Sequence, residues 1–152
     1  MIFKYQLGTD GEIYEDALLI RRAVFIDEQQ VSESLEIDGL DDQCWHIVGY
    51  IEGVPIVTAR FYTFNQSDQL CLKLQRIATS DSCRNHGYGR ALMEQLIEWA
   101  RRQHISEIHL SSQLQAIGFY QKVGFNASND LIYLDAGIEH QDMIYQVNKK
   151  DL

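Results

Sequence analysis

A single proline, Pro55, interrupts the chain, and no glycine-, serine- or charge-rich stretch separates one part of it from another. Nothing reads as a linker, a repeat or a low-complexity segment, so one domain is expected over residues 1–152. Cysteine is equally scarce. Cys44, Cys71 and Cys83 are odd in number and irregular in spacing, with no C-x-x-C pair, so neither a disulfide framework nor a zinc ribbon is signalled. Basic residues are outnumbered, 13 Lys and Arg against 22 Asp and Glu, for a net charge of −9. That balance argues against a nucleic-acid partner, which needs clustered Lys and Arg on phosphates, and suits a cationic substrate. No apolar run reaches the ~18–20 residues of a membrane-spanning helix. The opening MIFKYQLGTDGE lacks the basic start, apolar centre and cleavage site of a secretory signal. The chain is therefore expected in the cytoplasm, without a membrane partner. What it has in quantity is hydrophobic residues, 45% of the 152, enough for one real core.

The most informative stretch is Leu70 to Arg90, LCLKLQRIATSDSCRNHGYGR. A β-prone run ends in a polar turn. Arg84, Gly87 and Gly89 follow in the spacing R-x-x-G-x-G, and a helix begins. Backbone N–H groups in a glycine turn and a first helical turn have no intrahelical partner and make an anion site. Glycine lets a phosphate approach the backbone closely. A bland turn before an amphipathic helix fits the same residues. A P-loop does not: it needs Lys-Ser/Thr after its last glycine, and Arg90-Ala91 stands there. A dinucleotide fingerprint needs a third glycine, and Leu92 holds that place. Coenzyme A is a third reading, which rests on the resemblance given below.

Hydrophobic periodicity gives the rest of the organisation. Strands are expected at Ile2–Leu7, Cys44–Ile51, Ile56–Phe64, Leu70–Thr79, Ile105–Ser111, Leu131–Leu134 and Met143–Val147. Helices are expected at Glu12–Phe25, Gly87–Gln103 and Leu114–Val123, with a short one between Ile26 and Leu40. Glu52-Gly53-Val54-Pro55 reads as a hairpin turn. The order is β-α-α-β-β-β-α-β-α-β-β. It builds a mixed α/β fold, a central sheet of about seven strands covered by helices on both faces, with a right-handed parallel crossover between the strands at Leu70 and Ile105.

The glycine loop resembles the pyrophosphate loop of the GNAT family of N-acetyltransferases, and the element order is that family's. A second motif stands at the expected distance: Gln113, Ala116, Tyr120, Gly124 and Phe125 in SSQLQAIGFYQKVGF. The segments VFIDEQQVSESLEID, LQRIAT and DAGIEHQDM resemble the bacterial ElaA-like or YjcF-like subgroup. Glu139 departs from that subgroup, which usually has proline there. Gln113 stands where the wider family often has Asn.

The resemblance implies acetyl-CoA as cosubstrate and transfer of its acetyl group to a primary amine, on a small molecule, a peptide or a protein, by direct attack in a ternary complex. A non-catalytic acyl-CoA-binding module on the same fold is the alternative. Arg84, Asn85, His86, Gly87, Tyr88, Gly89 and Arg90 would hold the pyrophosphate. Ile77, Ala78 and Thr79 would pair with the pantetheine arm, and a backbone N–H near Ile77 would stabilise the oxyanion. Gln113 and Tyr120 would complete the cofactor site. Tyr120 is the general-acid candidate: a phenol (reference pKa ~10) stays protonated at neutral pH and can donate to a departing thiolate. A core aromatic is the other reading of the same residue. For the base, Glu36, Asp38, His46 and His140 are candidates, with Glu36 and His140 favoured by the resemblance. His46 also reads as a partly buried structural histidine, and His104 and His109 as surface residues. The acidic run Glu33, Glu36, Asp38, Asp41, Asp42 reads either as a solvated loop or as a collar attracting a cationic amine. Cys83 reads as a turn residue rather than an acyl carrier. No His pair has the helical i, i+4 spacing or the carboxylate context of a metal site, so no metal is expected. A homodimer accords with the family, although nothing in the sequence signals one.

Overall fold

The computed structural model describes residues 1–147; the last five residues of the domain expected over 1–152 lie outside them. Among the described residues eight strands and four α-helices alternate as a mixed α/β fold. The described residues fall into two compact units. The first is Met1–Tyr62 with Gln75–Leu92, and the second is Thr63–Leu74 with Met93 onward.

In the first unit β1 (Ile2–Leu7) pairs antiparallel with β2 (Trp45–Ile51), and β2 with β3 (Val54–Gln66). Glu52 and Gly53 have φ of +50° and +79°. These left-handed values make a two-residue hairpin turn whose twist matches the strands. The turn is thus shorter than the four residues expected, and Pro55 lies inside β3, opposite Tyr50, where the register shifts between Gly49 and Tyr50. An irregular pairing is one place where a strand accepts a residue without an N–H.

Helix α1 (Glu12–Arg21) opens on Glu12 and Glu15 and closes on Arg21, each sign facing the end of the helix dipole that favours it. Ala17 and Ile20 face a core shared with Val24, Val48, Tyr50 and Ala78. The helix expected to run to Phe25 instead widens after Arg21 into a π-helical segment, Arg22–Glu28, closed by a bond from Gln29 N–H to Val24 O. Helix α2 (Glu33–Glu36) follows. Strand β4 (Gln69–Thr79) is the neighbour of β3 through a second tight turn at Ser67 and Asp68, both left-handed.

In the second unit the first half of β4 pairs parallel with β5 (Glu107–Gln113) across the crossover helix α3 (Tyr88–Arg102). The α3 stripe Met93, Leu96 and Ala100 is buried, which is what its helical spacing predicts. Helix α4 (Ile117–Val123) is preceded by a 3₁₀ turn at Leu114–Ala116. Strand β8 (Ile138–Gln146) pairs antiparallel with β5, with β6 (Asn126–Ala127) and with β7 (Tyr133–Asp135). Strand β8 begins five residues before the Met143 expected, because its first half, IEHQD, is polar and carries no apolar alternation. Strand β6 has only two residues and no hydrophobic signal at all.

Candidate active site

Most of the expected cofactor-binding residues lie in the first unit. Strand β4 carries Arg76 in the left-handed region, φ +55°, a conformation that costs a side-chain-bearing residue energy. The Arg76 guanidinium repays it by holding the α2 segment: it donates to the carbonyls of Leu35 and Glu36 and pairs with the Glu36 carboxylate at 3.1 Å. Ile77, Ala78 and Thr79 follow as the last three residues of the strand. Asp81–Cys83 then form a single 3₁₀ turn, and Cys83 is half-buried.

The chain next reverses through two left-handed residues, Asn85 at φ +66° and Gly87 at φ +81°. A Cβ on Gly87 would meet nothing within 4 Å, so backbone conformation, not crowding, calls for glycine there, and open space lies against it. Helix α3 starts at Tyr88, and Ala91 N–H makes a bond to Gly87 O. The amides of Tyr88 and Gly89 precede that bond, in the turn whose donors have no intrahelical acceptor. His86 and Tyr88 stack obliquely, 6.0 Å apart. Arg84 donates its Nε–H to Thr79 O at 3.3 Å, joining the loop to the strand end. Its fork is bidentate on Glu28, at 2.6 and 2.7 Å. A carboxylate thus fills the geometry that also suits a phosphate.

The acidic segment is not a solvated loop throughout, because two of its carboxylates are buried. Glu36 and Asp41 are each only 4% exposed. Arg21 reaches Glu36 at 2.8 Å and Asp41 at 3.0 Å; Arg60 reaches Asp41 at 3.0 Å and Asp38 at 2.9 Å. Tyr14 donates its hydroxyl to Asp41 at 2.7 Å, and Gln75 accepts from Arg60 at 2.6 Å. Three carboxylates therefore face the three guanidinium groups of Arg21, Arg60 and Arg76. Both Glu36 oxygens are held by arginine. Burial raises its carboxyl pKa, against the pull of Arg76 and Arg21. Arg60 holds the Asp38 carboxyl down at about 2, chiefly through its hydrogen bonds. His46 is fully buried, with Nε2 2.9 Å from Asp41 O and Nδ1 without a protein partner. Burial lowers its pKa, so it is a neutral part of this framework. Glu33, Asp38 and Asp42 are the exposed members of the run, although Arg60 holds the Asp38 carboxylate.

The second unit carries the remaining candidates. Tyr120 lies on α4, 7% exposed, with its ring edge-on to Phe119 and Phe125. Burial pushes its phenol pKa above the ordinary value, so the hydroxyl keeps its proton at neutral pH. Gly124 ends α4 at φ +124°, and a Cβ there would strike the Tyr145 ring at 2.8 Å, which accounts for the glycine of the second motif. Gln113 is the last residue of β5 and faces His140 across the β5–β8 pair. The His140 Nδ1 lies 2.7 Å from Ile138 O. Only an N–H can make that contact with a carbonyl, so Nδ1 carries a proton, and in the neutral ring Nε2 is the nitrogen left to accept. Tyr133 stacks on the His140 ring at 6.1 Å, and its hydroxyl donates to Asp142 at 2.5 Å.

Sequence reasoning missed Arg21, Arg60, Arg76 and Tyr133. The available signal was Arg60 within the apolar strand sequence IVTARFY, a position where an unpaired charge would be costly.

The glycine loop, the α4 motif and the strand order define an acyltransferase of the GNAT type. The model of the acetyltransferase (GNAT) family matches residues 12–125, and the chain belongs to that family. Among proteins of Bacillus subtilis (strain 168), YyaT is 35% identical over 147 residues, covering 95% of each chain. YjcF, described as an uncharacterized N-acetyltransferase, is 33% identical over 141 residues, covering 93% of this chain and 98% of its own. The crystal structure of Escherichia coli ElaA superposes with a TM-score of 0.76 at 25% identity, over 95% of this chain and all of that one. The subgroup resemblance read from the sequence is therefore shown. Among the described residues no helix is long and apolar enough to cross a membrane.

Proposed function

We propose that this member of the acyltransferase family is a cytoplasmic acetyl-CoA-dependent N-acetyltransferase acting on a primary amine. The observation that carries the reading is the Arg84–Gly89 turn: two left-handed residues, open space at Gly87 and a helix start behind it. Backbone donors so arranged favour a pyrophosphate. Ile77–Thr79 would pair with the pantetheine amides. His140, held as the Nδ1–H tautomer, would take a proton from the amine at Nε2. The amine nitrogen would attack the thioester carbonyl, the carbon–sulfur bond would break, and the Tyr120 hydroxyl would supply the proton that the thiolate gains. Gln113, beside His140, would help seat the cofactor. Glu36 would serve the framework, since both its oxygens are held by arginine.

The test is turnover. The chain is mixed with acetyl-CoA and a panel of polyamines, aminosugars, amino-acid derivatives and lysine peptides, and released thiol is followed. Thiol release dependent on one amine class, abolished in Tyr120→Phe, supports the reading. Acetyl-CoA binding without release for any amine would support a non-catalytic acyl-CoA-binding module instead.

A further inference from the structure

A second group of reactive side chains lies in the second unit, on the polar face of its sheet. Glu107 and His109 are two apart on β5, so both leave the same face. The parallel register sets Cys71 opposite Glu107 and Lys73 opposite His109. The Cys71 sulfur, a Glu107 carboxylate oxygen and a His109 ring nitrogen lie within 4.8 Å of one another. His109 Nε2 is 2.9 Å from Glu107 Oε1, and Cys71 Sγ is 4.0 Å from that oxygen. Gln146, opposite Glu107 on β8, donates to Oε2 at 2.8 Å, and Phe64 stands edge-on to the His109 ring. Cys71 is sealed in, whereas the Glu107 and His109 side chains keep 23% and 18% of their exposure.

We propose that Cys71, Glu107 and His109 bind a divalent ion of the zinc class. A thiolate, an imidazole and a carboxylate are the donor set that zinc and its neighbours take, and they do not suit magnesium or calcium. Zinc bond lengths of ~2.0 Å to N or O and ~2.3 Å to S place tetrahedral donors about 3.3–3.5 Å apart. The three atoms, 2.9 and 4.0 Å apart at the shared carboxylate oxygen and all within 4.8 Å, need shifts of about an ångström to reach that spacing. Water fills the fourth position. Binding forms a metal–sulfur bond and releases the thiol proton to solvent; the Nε2 proton that His109 gives to Glu107 is also lost to solvent, the neutral ring keeping its proton on Nδ1, so the His109–Glu107 hydrogen bond gives way to two metal bonds. Gln146 keeps the second carboxylate oxygen oriented. The expectation of no metal rests on the lack of helical spacing and of carboxylate context; these donors come from two strands, and Glu107 gives His109 the carboxylate neighbour that the expectation denied it. The ion would clip β4 to β5.

Cobalt(II) reports the donors directly. The purified chain, freed of metal with a chelator, is titrated with Co²⁺ and its absorbance is followed, then Zn²⁺ is added. The expected result is a thiolate-to-cobalt charge-transfer band with tetrahedral visible bands, saturating at one ion per chain and abolished by Zn²⁺. The band vanishes in Cys71→Ser, persists in Cys83→Ser, and in His109→Asn needs about tenfold more Co²⁺ or beyond. No charge-transfer band, a band lost in Cys83→Ser, or unchanged affinity in His109→Asn would each overturn the site. Acetyl-transfer activity enters none of these readouts.

Discussion

Two polar assemblies in the first unit differ in what closes them. Around Arg21 and Arg60, guanidinium and carboxylate groups answer one another inside the protein, and Glu36, Asp41 and His46 are out of solvent. In the Arg84–Gly89 turn, Gly87 faces open space and the one strong ion pair, Arg84 with Glu28, is at the surface. The closed assembly pairs its charges without a ligand and fixes the chain. The open one presents donors that a ligand can answer. High acidic content in the segment 33–42 therefore marks the framework, and the ligand-binding reading belongs to a loop with little charge of its own.

Breaking the closed assembly should have the largest effect. Arg60→Ala strips Asp38 and Asp41 of a partner and is expected to cost about 3–5 kcal/mol of stability, read from the urea midpoint. Losses below 1 kcal/mol would place these charges in effective contact with water.

Tyr120→Phe comes next and leaves the closed assembly alone. The expected result is a kcat about tenfold lower or more, equivalent to about 1.4 kcal/mol, with acetyl-CoA affinity kept. An unchanged kcat would remove Tyr120 from the mechanism and leave it a core aromatic.

Acid should distinguish the two assemblies as well. The Asp38 carboxyl is held down at about 2. Its contribution is therefore complete above the unfolded-state value of ~3.9 and is lost as pH falls toward 2. With solvent screening it amounts to about 1 kcal/mol. Asp38→Asn should flatten the stability profile between about pH 4 and 2 by that amount; an unaltered acid limb would contradict the Asp38–Arg60 pairing.

The smallest effect sharpens the open side. Glu28→Gln frees the Arg84 fork from a carboxylate at the surface, a pair worth ~0.2–1 kcal/mol. Acetyl-CoA should bind up to about fivefold more tightly in a calorimetric titration. Weaker binding would mean that Glu28 orients Arg84 for the ligand.

The sequence made the loop legible because backbone chemistry there is local: Gly87 and the start of α3 follow from neighbouring residues. The same holds for α3, with its apolar stripe, and for β1, whose ends match the expectation. What escaped was long-range. Arg21, Arg60 and Arg76 come from a helix and two strands and meet the carboxylates of residues 36–41 only in the folded chain. The π-helical widening after Arg21 breaks no periodicity rule, and the first half of β8 is polar on both faces. Tyr133 becomes a candidate only when β7 places it opposite His140.

The central claim is that the Arg84–Gly89 turn is an acyl-CoA pyrophosphate site. A thermal-shift titration tests it most directly, with acetyl-CoA against NADH and ATP as controls. A ligand at about 100 times its Kd adds about 2.7 kcal/mol to the native state, a readily visible rise in Tm. The account predicts that rise with acetyl-CoA alone; no shift, or a shift only with NADH or ATP, would contradict it.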